Sequence, residues 1–322
     1  MTPEVSVVIP THSRWRLLAR TLEGALGQAD VEHEVVVVDD GSTDETPERL
    51  RQLDQPRVRV VRHETSRHLP AARNSGIAAA RGEWIAFLDD DDLWSPRKLR
   101  TLLDAARGRD AVFAYSAGVV VDPELEIVQS WPAPDAESAL HLLLRGNWIP
   151  AGGSNPIARA DVVRRVGGFD EGLRHFAEWD MWIRLSAAGR AAACPEPLVA
   201  YVLHSENMVL VDSRAVVREL GRFVAKHRRL AETYGVTPDR VVPDRMGARR
   251  WLGWAHARAG RRLRAAGWYA SAALRPSPYG RRQALADAGR ALLGAIPADR
   301  RPAIDEETSR AAGWLADYGL RP

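Results

Sequence analysis

The sequence predicts an α/β protein, a mostly parallel sheet flanked by helices, followed by a helical C-terminal extension. Three observations predict it. Strand-like and helix-like segments alternate from residue 5 to residue 89. The runs Glu34–Val38 and Ile85–Leu88 are near-continuously apolar rather than alternating, as in strands covered on both faces. From about residue 213 helical periodicity takes over.

Val5–Ile9 reads as the first strand, stopped by Pro10. Residues 15–28 carry Leu17, Leu18, Leu22, Ala25 and Leu26 at helical spacing. The second strand, Glu34–Val38, runs into the turn Asp39-Asp40-Gly41-Ser42. A helix at about 46–54, an alternating strand Arg57–Arg62 and a helix over 70–81 lead to the strand that ends at Asp89. Two further strands are expected at 111–115 and 119–121, helices at 159–166 and from His175 to about Gly189, and a last strand at 198–203. Helices at roughly 213–234, 244–274, 280–294 and 305–318 make up the remainder, so a domain boundary is expected near 212, giving domains 1–212 and 213–322.

Four consecutive carboxylates, Asp89 to Asp92, follow the apolar run Ile85–Leu88. Adjacent acids repel and cannot be buried without compensation, so they belong at the strand's exit, facing water or a cation. A cluster of oxygen donors suits Mg²⁺ or Mn²⁺, which share their shell with phosphates. The same run also fits a solvated turn before a helix opened by Ser95-Pro96. Pro10–Arg14, Asp39–Ser42 and Asp89–Asp92 all lie at carboxyl ends of strands, the edge where open α/β sheets bind ligands.

The single cysteine, Cys194, excludes an intramolecular disulfide and a cysteine-based zinc site. No basic and apolar leader follows Met1, and no apolar run nears the ~18 residues of a membrane span, so a cytoplasmic location is expected. The net charge of +3 divides unevenly: residues 213–322 hold 22 basic and 10 acidic side chains, a net +12, against −9 for residues 1–212. No helix-turn-helix, zinc or stacking motif supports a nucleic-acid partner. For the basic region the expectation is packing on the core, homo-oligomer formation, or peripheral contact with an anionic membrane face.

These loops resemble a family 2 glycosyltransferase over about residues 4–210. The resemblance rests on Val7–Thr11, Val37–Ser42, Ala72–Ile77, Ala80–Glu83, Phe87–Asp92, Gly167–Glu171 and Glu178–Leu185, in that order and spacing. It implies a GT-A-type, Rossmann-like fold and inverting transfer of a sugar from a nucleotide diphosphate sugar, typically of the UDP type, to an acceptor hydroxyl on a glycan, a lipid-linked carrier or a small molecule. It also implies roles. Asp40 accepts a hydrogen bond from the base, beside Thr11 and Arg14, in loops that include Pro10, Asp39, Gly41 and Ser42. His12 stacks on the base, and Arg73 lies near the diphosphate. Asp89 faces ribose and metal, next to Asp90, and Asp91 binds the metal. His204 sits where some members have a histidine near the diphosphate or metal. The family's base is the Asp of a Glu-Asp pair before Trp-Asp; here those positions are Ala177 and Glu178, so Glu178 is the candidate base, with Asp180 its rival and Trp179 beside the substrate.

Two rival readings remain. A sugar-phosphate nucleotidyltransferase carries a Gly-rich loop after its first strand, and Pro10–Arg14 contains no glycine. A non-catalytic nucleotide-sugar-binding or scaffold protein on the same fold stays open because Ala177 lacks an acid.

Overall fold

The computed structural model describes residues 2–204, 213–236, 249, 252–254, 256–257, 260–274, 281–294 and 306–319. The chain divides into two compact units. The first comprises Met1–Leu143, Trp148–Val202 and Ile304–Pro322, and the second Leu144–Asn147 and Leu203–Ala303.

The first unit is built on a nine-stranded sheet. In chain order the strands are β1 (Val5–Thr11), β2 (His33–Asp40), β3 (Val58–His63), β4 (Trp84–Phe87), β5 (Leu93–Trp94), β6 (Phe113–Val121), β7 (Ile127–Trp131), β8 (Ile157–Arg159) and β9 (Ala191–Val202). They lie in the order β3-β2-β1-β4-β8-β6-β9-β5, with β7 beside β6. The β3-β2-β1-β4 half is wholly parallel. Beyond it β8 runs antiparallel to both β4 and β6, while β6 and β9 are parallel. The helices before residue 204 are α1 (Trp15–Leu26), α2 (Thr46–Gln52), α3 (Leu69–Ala79), α4 (Lys98–Gly108), α5 (Ala139–Leu143), α6 (Ala160–Arg165) and α7 (Ala177–Ala188). This is the mostly parallel, helix-flanked α/β architecture expected.

The continuous apolar strands are explained by cover on both faces. Val5, Val7 and Ile9 share one cluster with Leu18 and Leu22 of α1 and with Leu99, Leu102 and Leu103 of α4. The alternate residue Val8 faces α3, so closely that a Cβ at Gly76 would lie 2.2 Å from it. Parallel register then aligns the strand ends: Thr11 pairs with Asp39, and Asp40 with His63.

Some elements differ from expectation. β6 is one continuous strand over 113–121 where two were expected, and β9 starts seven residues before the expected 198. Residues 157–159 are strand β8, because they bridge β4 and β6, and α6 begins only at Ala160. Ser95-Pro96 does not open α4; the helix starts at Lys98, and Ser95 instead accepts the Lys98 N–H in a turn.

The second unit holds three described helices of eight residues or more: α8 (Ser213–Thr233), α9 (Arg262–Ala273) and α10 (Arg281–Leu292). Helix α9 packs on α10 along an alanine seam, with Ala265, Ala266 and Tyr269 against Ala288 and Ala291, and Ala272 and Ala273 against Ala284.

The boundary expected at 212 is not where the units divide. The chain leaves the first unit after Val202, and residues 304–322 return to it. The physical reason is an apolar strip on β5, β6 and β9. Leu93, Val119, Val121, Ala200 and Val202 are covered by Ala312 and Leu315, with Trp314 and Tyr318 alongside. Two hydrogen bonds fix the cover, Trp314 Nε1–H to Pro197 O at 3.0 Å and Tyr318 O–H to Trp94 O at 2.8 Å. Leu315→Ala is therefore expected to destabilise the first unit by about 2–3 kcal/mol, the cost of truncating a buried leucine. Urea unfolding of the full chain measures it, and an unchanged first-unit transition would refute the docked C-terminal segment.

Candidate functional site

The β1 and β2 exits are stitched together. His12 Nδ1–H donates to Asp40 O at 2.8 Å, and the Ser13 N–H donates to Ser42 Oγ at 2.8 Å. The Thr43 N–H returns to Ser13 Oγ at 3.0 Å. Asp39, fully buried, accepts from the Ser42 N–H at 2.9 Å and from the Arg62 guanidinium. Gly41 adopts φ +76°, and a Cβ there would lie 2.7 Å from Ser66 N, so the turn admits only glycine without strain. The His12 ring stays exposed while its Nδ1 is held.

Asp40 is a hub. Its Oδ1 accepts from His63 Nδ1–H at 2.6 Å and the Arg67 N–H at 2.8 Å. Its Oδ2 accepts from Ser66 O–H at 2.7 Å and the His68 N–H at 2.9 Å. Burial alone would raise its pKa; the bonds from Arg67, Ser66, His63 and His68 outweigh that and hold it below the ordinary carboxylate value. A carboxylate has about four lone-pair sites, and four donors already use them. Asp40 thus braces the 63–68 loop.

The four acids after β4 are not a solvated turn. Asp90, Asp91 and Asp92 are buried, and Asp89 alone keeps an appreciable side-chain exposure, 27 %. Each has its own partners. Asp90 accepts from Thr11 O–H at 2.7 Å and from Arg14, which also meets Asp91 at 3.1 Å. Asp92 accepts from Ser154 O–H at 2.5 Å and the Val202 N–H at 3.2 Å. Ser154 Oγ in turn accepts the Asp89 N–H at 3.0 Å. The acids nevertheless repel one another. Burial pushes Asp89 up to about 6, against the pull of Arg73 and with the repulsion of Glu178 and Asp91. Burial and Asp91 push Asp90 up to about 7, and burial raises Asp92 well above its usual range.

Arg73, on α3, is fully buried and forks between two acids. One guanidinium nitrogen donates to Asp89 Oδ1 and the other to Glu178 Oε1, both at 2.5 Å. Burial opposes its charge, but Asp89 and Glu178 outweigh burial and hold its pKa above the ordinary value. The fork needs room: a Cβ at Gly153 would lie 2.3 Å from it. Among the described residues no bond reaches Asp89 Oδ2 or Glu178 Oε2. Arg73, expected near a diphosphate, is committed to these carboxylates.

Helix α7 separates its two candidate acids. Glu178 faces the fork, with a side chain 15 % exposed. Asp180 is fully buried and accepts from Arg184 Nε at 2.9 Å and Nη2 at 2.6 Å, while Nη2 also donates to Gly168 O and Nη1 to Val166 O. Asp180 therefore anchors the Gly167-Gly168 turn. Trp179 is buried and donates to Leu143 O at 2.6 Å. Asn74 explains why its motif accompanies Gly-Gly-Phe: its amide bonds both Phe169 N and Phe169 O. His204 belongs to the second unit.

Sequence reasoning missed Ser154, His63, Ser66, Arg62 and Gly153. No local pattern marks them; each joins the site only through chain reversal or strand register.

Among the described residues no three His, Cys, Asp or Glu side chains form a ready-made metal cage. The donor chemistry still fits Mg²⁺ or Mn²⁺. These ions need one or two protein carboxylates and take remaining ligands from water and phosphates. The open Oδ2 of Asp89 and the neighbouring Asp91 meet that need.

Known proteins resemble this chain in sequence and in fold. The sequence model of Glycosyl transferase family 2 matches residues 6–167. The succinoglycan biosynthesis protein ExoO of Rhizobium meliloti (strain 1021) is 42 % identical over 112 residues, 35 % of this chain and 32 % of that protein. Chondroitin synthase of Escherichia coli is 28 % identical over 212 residues, 64 % of this chain and 30 % of that one. The chain thus spans about a third of each of these two relatives. Among solved structures, S. aureus TarS 1-349 in complex with UDP superposes with TM-score 0.54 at 17 % identity, covering 98 % of this chain and 89 % of that one. Mannosyltransferase PcManGT from Pyrobaculum calidifontis, in complex with GDP-Man and Mn²⁺, gives 0.57 at 20 %, covering 99 % and 87 %.

The Asp40 hub yields a structural prediction. Asp40→Asn turns one acceptor oxygen into a donor and faces it at an existing donor. The substitution is expected to cost about 1–3 kcal/mol and to speed amide exchange at Arg67 and His68. Hydrogen exchange read by mass spectrometry checks this, and unchanged protection of residues 63–68 would contradict it.

Proposed function

This chain belongs to glycosyl transferase family 2, and from that premise we propose an inverting transfer of a sugar from a nucleotide diphosphate sugar, of the UDP type, to an acceptor hydroxyl, with Mg²⁺ or Mn²⁺. The reading rests above all on one juxtaposition. Asp89 and Glu178, far apart in the chain, are bonded to the same buried guanidinium, and each keeps one oxygen open.

The roles follow from those open atoms. The donor lies along the carboxyl edge of β1, β2 and β4. The exposed His12 ring stacks on its base, while Asp40 acts through the loop it braces. Asp89 and Asp91 would hold the cation, which would neutralise the charge that develops on the leaving diphosphate. Glu178 Oε2 takes the proton of the acceptor hydroxyl as its oxygen bonds the anomeric carbon and the bond to the diphosphate breaks. Arg73 fixes the carboxylate's direction through Oε1. Asp180, held by Arg184, takes no part in proton transfer. Relatives named for succinoglycan and teichuronic acid biosynthesis and for chondroitin synthesis support a glycan or lipid-linked glycan as acceptor.

Glu178→Gln is expected to lower turnover roughly 10²–10⁴-fold, the usual contribution of a positioned base, while donor affinity stays near wild type. Asp180→Asn is expected to lower thermal stability first, because Arg184 loses its buried partner. Steady-state transfer assays with calorimetric donor titration separate the two. Wild-type turnover in Glu178→Gln would reject the base.

The cation is tested by pH. Asp89 and Asp90 hold protons in the native state that the unfolded chain has lost, so without metal stability falls as pH rises from about 4 through about 7. A bound divalent ion relieves the repulsion. The melting shift produced by Mn²⁺ with UDP is thus expected to be larger at about pH 8 than at about pH 5, and to vanish in Asp91→Asn. A shift independent of pH and of Asp91 would remove the cation from this site.

A further inference from the structure

The second unit carries a feature that sugar transfer does not use. Among the described residues eight large apolar side chains are exposed, and five belong to the α9–α10 hairpin and its ends: Leu263, Leu274, Leu285, Leu292 and Leu293. Leu263 and Leu293 are 80 % and 81 % exposed. The alanine seam explains why. Helix α9 meets α10 through Ala265, Ala266, Ala272 and Ala273 against Ala284, Ala288 and Ala291, so small residues fill the contact and leucines are left outside it. A chain that buries alanine and exposes leucine has inverted the usual choice.

The leucines cluster with positive charge. Ala265 and Ala266 share one cluster with Ala288 and Ala291, which brings the first half of α9 beside the last turns of α10. A Cβ on Gly294 would lie 2.6 Å from the Arg262 guanidinium carbon, so the two ends touch. Leu263 thus shares one end of the hairpin with Leu292 and Leu293, beside the exposed Arg262 and Arg264. Residues 245–303 contain 13 Lys+Arg against 2 Asp+Glu, whereas the whole chain is only +3. The acidic remainder is where the candidate site lies; the positive charge is concentrated on the segment that exposes the leucines.

We propose that the end of the α9–α10 hairpin around Leu263, Leu292 and Leu293 is a docking surface for an anionic lipid bilayer, entered by the leucines and held by the arginines around them. Arginines pair with lipid phosphates, each worth a measurable gain near an anionic surface. Leucine side chains bury apolar area at the headgroup boundary. No helix among the described residues is long and apolar enough to cross a membrane. The 304–322 segment, which packs on the first unit through Leu315 and Tyr318, is not part of it. The inference stands apart from the chemistry at Asp89 and Glu178.

The test is co-sedimentation of the full chain with vesicles of phosphatidylcholine alone or with one quarter phosphatidylglycerol. Binding is expected to the anionic vesicles at low salt, with little to the neutral ones. Two variants divide the surface, Leu263→Asp with Leu293→Asp, and Arg261→Gln with Arg262→Gln and Arg264→Gln. Each is expected to weaken binding roughly tenfold or more, with melting temperature and turnover unchanged. Hydrogen exchange on the wild-type chain probes the same surface without substitution, since anionic vesicles are expected to protect residues 260–294. Equal binding to both vesicle types overturns the proposal, as does full retention by the leucine variant, or protection elsewhere in the chain. Tighter binding to duplex DNA than to anionic vesicles overturns it in favour of a nucleic-acid surface.

Discussion

Everything at the β-sheet's carboxyl edge depends on one constraint: four consecutive carboxylates packed where little water reaches them. Buried like charges are costly, and the chain distributes that cost over separate devices. Thr11 and Arg14 take Asp90, Arg14 also takes Asp91, Ser154 and the Val202 amide take Asp92, and Arg73 takes Asp89. These contacts reach into β1, the turn before α1, α3, β9 and the turn at Gly152–Ser154. Stabilising the acids is therefore the same act as assembling the edge of the sheet. Burial, with mutual repulsion, still raises Asp89 and Asp90 above the ordinary carboxylate value. Carboxylates held so close together suit a hard cation and its phosphates.

Arg73 links that problem to the transfer chemistry. A buried guanidinium needs partners, and its planar fork can satisfy two carboxylates at once. By bonding one oxygen of Asp89 and one of Glu178, it sets both groups in direction and leaves a second oxygen on each. The cost appears in the neighbours: position 153 has no room for a side chain, and Phe169 lies with its ring centroid 5.2 Å from the guanidinium. Asn74, one residue on, clasps Phe169 and so steadies the turn that precedes α7. Adjacent residues of one helix thereby hold the base candidate, through Arg73, and the Phe169 turn, through Asn74.

The two motif carboxylates that look most alike in sequence have opposite fates. Asp39 and Asp40 sit side by side, yet strand alternation sends them to different partners: Arg62 for one, the 63–68 loop for the other. Glu178 and Asp180 share a helical turn, yet a two-residue step rotates them to different faces. One meets Arg73 and the other Arg184.

Local order and edge chemistry were legible in the residues themselves. Apolar runs such as Val35–Val38, short and rich in β-branched residues, read as strands covered twice, and their exits at Pro10, Asp39 and Asp89 mark one edge of a parallel sheet, because pattern and connection handedness are local properties. The carboxylates, the glycine turn and the basic shift near 213 were visible for the same reason. What tertiary structure alone decided is which charge meets which. Arg73 could not be seen to face Glu178, nor Ser154 to join Asp89 to Asp92, because such pairs arise from register and chain reversal over tens of residues. The return of residues 304–322 to the first unit was equally hidden. Leu315 and Tyr318 look like any helical tail until β5, β6 and β9 form the apolar strip that they cover. Composition names the groups a site contains; only packing, which balances burial against charge, settles their partners.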